Sequence, residues 1–513
     1  MIIKIILFII FNINFYNILS RNNNDVIRFA FILSRTGSHS PSYLKEINHT
    51  YYKDFFGYYW IGENELTTVG KRQQFYLGYI NNLKYKNLLI PENYHPKDIL
   101  AYSSEKNKTI QSSYANLHGL YQSTNNKLTK EQIELAIPPL VDGGEKGYID
   151  EKKELDKNNY ILPKNMQIVP VHSFMDNKYN YLLEKIENCP KLKSYYEEGE
   201  SLAKKKIEEI LNYKNEGGVN KKTYGEILVE ILNKENTFKN NYTINDLKNN
   251  STLFKLIAET FICDYFEAVN LDKFTNKGVN IYKLLNMFEE YFGEISIGGG
   301  IINEGDERAK KTLELSEKVN YNLFISLVEW MKLKVKNDID KNFDIRSYDI
   351  PKIVIYFSHH ESIESLYYFL KETFNIENAQ NSLYVNFTSF IGVELYRNKN
   401  EDENITEEDF YIKLLYNNEQ LGTNIPYKYF YEILKSKFIS FNEIKNYCGI
   451  NDENNINNNN NNSTISESSD FIFKIMGIII MGIVPLLFSY VIFIIYRIKR
   501  RKLRYIDITE EGF

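Results

Sequence analysis

Two stretches of this chain are hydrophobic at consecutive positions: VIRFAFIL at residues 26–33 and KIVIYFS at residues 352–358. Such runs, rich in β-branched and aromatic residues, fit strands buried on both faces of a parallel sheet. The second leads into HHESIESLYYFLKETF, where Ile363, Leu366, Phe369, Leu370 and Phe374 fall near one helical face. That spacing predicts strand, loop, helix. Residues 177–289 are dominated by helical patterns with long charged stretches. The pattern therefore predicts an α/β core carrying a helical insertion.

The ends behave differently. Residues 1–20 hold one early charge, Lys4, followed by an apolar run, and read as a secretory signal peptide. Residues 475–496 contain no charged side chain and are followed by RIKRRKLRY. An apolar run of that length matches the hydrocarbon thickness of a bilayer, and the basic cluster places the tail, residues 497–513, in the cytoplasm. Residues 451–474 begin as an Asn- and Ser-rich tract that cannot bury a core, and read as a stalk. The expectation is a single-pass type I membrane protein. Its ectodomain, residues 21–450, would lie outside the cell or in an endosomal or lysosomal lumen. Sequons at Asn48, Asn107, Asn241, Asn250, Asn386 and Asn404 suit that placement, although an asparagine-rich background produces such triplets by chance.

Composition narrows the chemistry. A net charge of −5 over 513 residues gives no reason to expect a nucleic-acid partner. The three cysteines, Cys189, Cys263 and Cys448, are too few for a disulfide-built scaffold and too far apart for a zinc motif. Open parallel sheets place their sites beyond the carboxyl ends of the strands. The loops at residues 34–41 and 359–363 are therefore the first candidates. They hold Arg35, His39, His359 and His360, although the chain has only seven histidines. Taken alone, the same residues also suit ordinary polar loops. The adjacent His359 and His360 do not suggest a metal, because neighbours on a strand point to opposite faces.

Those loops carry a resemblance. SRTGSHSP is similar to the Arg-His-Gly-x-Arg-x-Pro signature of the histidine acid phosphatases, and YFSHHES resembles that family's His-Asp pair at a strand end. ENELTTVGKRQQFYLG, YSSEKNKTIQSSYANLHGLY, QIVPVHSF, NCPKL, GGGIINE, FIGVELYRN and YCGI follow in the family's order. The resemblance implies a mixed, mostly parallel sheet flanked by helices with an inserted helical cap. It implies phosphomonoester hydrolysis through a phosphohistidine, without metal or other cofactor, on a phosphorylated small molecule. It also implies that Cys189 pairs with Cys448, leaving Cys263 as a buried thiol.

Carried over residue by residue, Arg35 matches the first phosphate-binding arginine and Thr36 falls where the nucleophilic histidine would be. His39 falls at the second arginine and Tyr102 at the arginine of the Arg-Ser-Thr segment. His360 keeps the second phosphate-binding histidine, and Glu361 stands in for the proton-donating aspartate. A threonine hydroxyl needs a positioned base, and each lost cation removes a fixed donor to the phosphate oxygens. A nucleophile at His39 would be displaced by several ångström unless the loop is rebuilt, so His39 is read as a phosphate-binding residue. The expectation is a catalytically impaired homologue acting as a phosphate-ligand-binding or surface protein. The alternative is an acid phosphatase with a rearranged pocket, built on Arg35, His39, His360 and Glu361 and active when the two histidines are protonated.

Overall fold

In the computed structural model, the residues described are 25–42, 61–124, 126–136, 161–162, 165–173, 189–215, 222–234, 242–295, 307–340, 342–343, 350–377, 383–398, 405–437 and 439–450. Strand β1 (Asp25–Arg35) is followed by helix α1 (Thr68–Tyr85), β2 (Ile99–Ser103), α2 (Asn107–Leu120) and the short β3 (His172–Ser173). Five longer helices follow: α3 (Pro190–Leu202), α4 (Lys204–Asn212), α5 (Tyr224–Lys234), α6 (Ser251–Glu267) and α7 (Ile281–Ile295). The long α8 (Glu307–Ile339) leads to β4 (Ile353–Ser358) and α9 (His360–Thr373). Then come β5 (Phe390–Asn398), β6 (Phe410–Tyr416), β7 (Glu419–Pro426), α10 (Tyr427–Ser436) and α11 (Phe441–Cys448).

The strands form one sheet in the order β3-β2-β4-β1-β5-β6-β7. The four from β3 to β1 pair in parallel, whereas β5, β6 and β7 add antiparallel to the other side of β1. The sheet is thus mixed, with a parallel portion around β4. The unbroken hydrophobicity of β1 has a direct cause. Phe29, Phe31 and Leu33 pack with Phe324, Leu327, Leu366 and Phe369 on one face. Ala30 and Ile32 pack with Leu77, Leu117 and Leu120 on the other. A strand covered on both faces has no polar side to show.

Helices α3 to α7 bury a separate core, with Ile207, Ile210, Leu228, Phe254, Ile257, Phe261 and Phe288 at its centre. Phe387, from the segment before β5, packs into that same cluster and ties the helical layer to the sheet. The described residues all belong to one compact unit, Met1–Ile450, and residues 451–513 lie outside them. The predicted signal peptide, stalk, membrane span and tail all fall there or in residues 1–24, also outside the described residues. Among the described residues no helix is long and apolar enough to cross a membrane.

Candidate active site

The parallel pairing brings Arg35 opposite Ser358, so the ends of β1 and β4 abut and both predicted loops open on one side of the sheet. The second is shorter than expected. Helix α9 begins at His360, placing Glu361 in its first turn, where a carboxylate suits the positive end of the helix dipole.

Protein partners occupy the backbone of the β1 loop. Arg35 N–H donates to Ser389 O (2.8 Å), Thr36 N–H to Ser358 O (3.3 Å) and Ser40 N–H to Glu65 O (2.9 Å). Gly37 N–H donates to Ser112 Oγ (3.2 Å), and Ser38 N–H to Gln73 Oε1 (2.9 Å). Amides already paired in this way do not form an anion nest. The loop also lies against the start of α1. A Cβ on Gly70 would come within 2.7 Å of Ser38 N, and one on Gly37 within 2.7 Å of Gly70 Cα. The Thr-Thr-Val-Gly start of α1 is explained by this contact: Thr67 caps the helix by accepting from Gly70 N–H at 2.9 Å, and Gly70 admits the loop.

Arg35, His39, His360 and Glu361 line one cleft of about 680 Å³, together with residues from α3, α6 and α7 of the helical layer. Arg35 donates to Val385 O, and its guanidinium lies 4.3 Å over the Phe387 ring. Thr36 is not among the residues lining the cleft; it is 1% exposed, its carbonyl accepting from Thr388 N–H at 2.9 Å. Tyr102 is also elsewhere. It lies within β2, stacked on Tyr356 at 5.0 Å and 5.6 Å from the His172 ring, against the sheet core. This segment contributes two cations to the lining, Lys106 and, in the first turn of α2, Lys108, which reaches His39. Its Nζ lies 3.2 Å from His39 Nε2 and 2.9 Å from Asn64 Oδ1. Lys108 was missed in the sequence, although a lysine at a helix start just past a parallel strand was a visible signal.

Burial dominates the electrostatics. It pushes His39 well below the usual imidazole range, helped by Lys108 and opposed by the hydrogen bond to Ser40 O. Burial likewise brings His360 down to about 4, against the pull of Glu361. Burial alone would raise the Glu361 carboxyl, but His360, His359, its own backbone N–H and Lys108 bring it down to about 2. Lys108 is lowered by burial, with Glu259 opposing. Burial thus disfavours the charged form of both imidazoles in the ligand-free protein. Cys263 also lines the cleft, its thiol pushed up by burial and Glu259. Among the described residues no group of three or more His, Cys, Asp and Glu side chains is placed to hold a metal ion.

Cys189 and Cys448 form a disulfide with Cα atoms 4.8 Å apart, joining the start of α3 to the end of α11. Both are fully buried beside Leu192, Val319 and Ile444. Cys263 is free and buried.

Several solved structures are similar at low identity. A Klebsiella sp. ASR1 phytase is 10% identical with a TM-score of 0.46, the match covering 81% of this chain and 97% of that one. A phytase from D. castellii is 12% identical, with a TM-score of 0.43 and coverage of 84% and 83%. A Bifidobacterium longum multiple inositol polyphosphate phosphatase, in complex with inositol hexasulfate, is 10% identical, with a TM-score of 0.38 and coverage of 78% and 88%. No curated protein matches the chain. Residues 23–417, spanning β1 through β6, match the family model of the histidine phosphatase superfamily (branch 2). The chain belongs to that superfamily.

Proposed function

We propose that this protein binds a phosphomonoester in the cleft between Arg35, Lys108 and His360, and that turnover by its family's usual route is impaired. One observation carries the reading: the cleft keeps cations and imidazoles, while the residue at the nucleophile's place is a buried threonine outside the lining. A threonine hydroxyl is a weak nucleophile without a base beside it. Glu361, ionised above about pH 2, has no proton to give a leaving group in the free protein at neutral pH.

The cleft's charge favours a ligand with a single phosphate. Arg35, Lys106, Lys108, Lys193 and Lys255 face Glu63, Glu65, Glu197, Glu200, Glu259 and Glu361 in the same lining. One dianionic group can be matched by Arg35 and Lys108, but further phosphates would meet carboxylates. The apolar span at residues 475–496 supports a membrane-anchored setting with the cleft outside the cytoplasm.

Calorimetric titration of the purified full chain with inorganic phosphate, alongside aryl phosphate hydrolysis, tests this. Expected are phosphate binding that Arg35→Ala weakens at least tenfold and a kcat below about 0.01 s⁻¹, against the 1–10³ s⁻¹ usual for enzymes. A kcat in the usual range would sink the impairment, and absence of phosphate binding would sink the ligand class.

A further inference from the structure

One imidazole of the cleft, away from position 36, has its tautomer set by two partners of fixed hydrogen-bonding sense. We propose that His39 is the nucleophile of the slow phosphoryl transfer this cleft supports, its Nε2 attacking a phosphate held by Arg35 and Lys108. The inference rests on the reading that the cleft binds phosphomonoesters.

Hydrogen-bond partners settle the tautomer. His39 Nδ1 lies 2.8 Å from Ser40 O, a carbonyl that can only accept, so Nδ1 carries the proton. Nε2 faces the Lys108 ammonium at 3.2 Å, a group that can only donate, so Nε2 carries the lone pair and turns it to a lysine that lines the same cleft. The ring is 5% exposed and meets Phe387 edge-on at 5.1 Å. The same Phe387 ring supports the Arg35 guanidinium, so nucleophile and phosphate clamp share one platform. The backbone is pinned by bridge pairing to Leu66 and by Thr67 N–H donating to Ser38 O at 3.1 Å. Phe387 is itself anchored in the core of the helical layer.

The other imidazoles of the cleft have different partners, and adduct mapping distinguishes the three. His359 Nε2 lies 3.2 Å from Ser104 Oγ, and His360 Nδ1 faces Glu361 at 3.3 Å. Lys108 marks where the anion settles. A charged phosphate oxygen is a stronger acceptor than a neutral imidazole, so it draws the ammonium off Nε2 and brings phosphorus to the freed lone pair.

The step balances. The Nε2 lone pair forms the N–P bond as the P–O bond breaks, and its electron pair leaves on the alcohol oxygen. That oxygen takes the proton carried by the substrate's phosphate monoanion. Water then attacks phosphorus, the N–P pair returns to Nε2, and the Glu361 carboxylate accepts the proton from water.

Phosphohistidine is labile in acid and stable in alkali, whereas phosphothreonine is stable in acid, so the chemistry of the adduct reports its position. The full chain is incubated with p-nitrophenyl phosphate, quenched in alkaline detergent and mapped by mass spectrometry; ³²P-labelled substrate follows acid lability. Expected is an acid-labile adduct on His39 of the unaltered chain, reduced at least tenfold in His39→Asn. An acid-stable adduct at Thr36, an adduct on His359 or His360, or no adduct in a chain that binds inorganic phosphate would each overturn the proposal. A chain that binds no phosphate would overturn the ligand reading beneath it as well. Mapping on the unaltered chain keeps the test valid if His39→Asn fails to fold.

Discussion

Lys108 Nζ and His39 Nε2 face each other across 3.2 Å, one from the start of α2 and the other from the loop after β1. A lysine thereby meets the cleft at the segment where sequence comparison pointed to Tyr102, and it meets an imidazole whose proton is committed to Ser40 O. Burial, helped by this pairing, disfavours the charged form of His39, and on the proposed reading the lysine is the cation that meets a phosphate oxygen.

Replacing Lys108 by methionine keeps the length of the chain and removes the charge. A hydrogen bond to a charged group is worth about 1.5–3 kcal/mol, which corresponds to roughly 10–100-fold in affinity. Inorganic phosphate should bind that much more weakly by calorimetry, and His39 should titrate at higher pH by NMR. Unchanged affinity would remove Lys108 from the site.

Folding stability should fall as the solution is acidified. His39 and His360 titrate lower in the folded chain than the usual imidazole value of 6.5, so the unfolded chain binds more protons as pH falls below that value. The loss from His360 runs from about 6.5 down to about 4. Glu361 acts in the same direction lower down, its contribution being lost between the unfolded value of 4.5 and about 2. Thermal melts from pH 7 to pH 4 should show a falling Tm, with a shallower slope for His360→Asn. A flat profile would contradict burial of neutral imidazoles.

Gly70→Ala should damage the loop rather than the helix. Alanine is the better helix former, yet its Cβ would press on the backbone of Ser38, which cannot swing aside like a side chain. Overpacking of this kind costs about 1–3 kcal/mol. Urea denaturation should show a lower midpoint, and phosphate binding should weaken as Arg35 and His39 shift. A stabilised variant with intact binding would refute the contact.

Cys448→Ser opens a covalent loop closed across a sequence separation of 259. Loss of a native disulfide typically costs about 2–5 kcal/mol, mainly through the entropy of the unfolded chain. Chemical denaturation with and without reductant should show that loss in the unaltered protein and no reductant effect in the variant. Equal stability of the two would mean the bond adds nothing.

Much of this fold was legible from pattern. VIRFAFIL and KIVIYFS announced strands buried on both faces, and Ile363, Leu366, Phe369 and Leu370 announced the helix that follows. Arg35, His39, His360 and Glu361 were reachable because residues at the carboxyl ends of neighbouring parallel strands must share one side of the sheet. The Cys189–Cys448 pair came from family resemblance, since three cysteines admit more than one pairing.

The tertiary structure decided what order along the chain does not contain. Strand side chains alternate, so sequence matching could put Tyr102 in the right segment while the pleat turned it onto Tyr356. The helix after that strand brought Lys108 round to the cleft instead, because its position depends on how α2 packs on α1. The far walls, including Glu200, Glu259 and Tyr196, come from helices whose sequence reveals an apolar face but not what it closes over. By itself the sequence pointed to the family and the strands, and its resemblance to that family set Thr36 at the nucleophile's place. Packing between distant segments decided that Thr36 is shut away while His39 and Lys108 face each other in the cleft, because such contacts depend on geometry that no local pattern encodes.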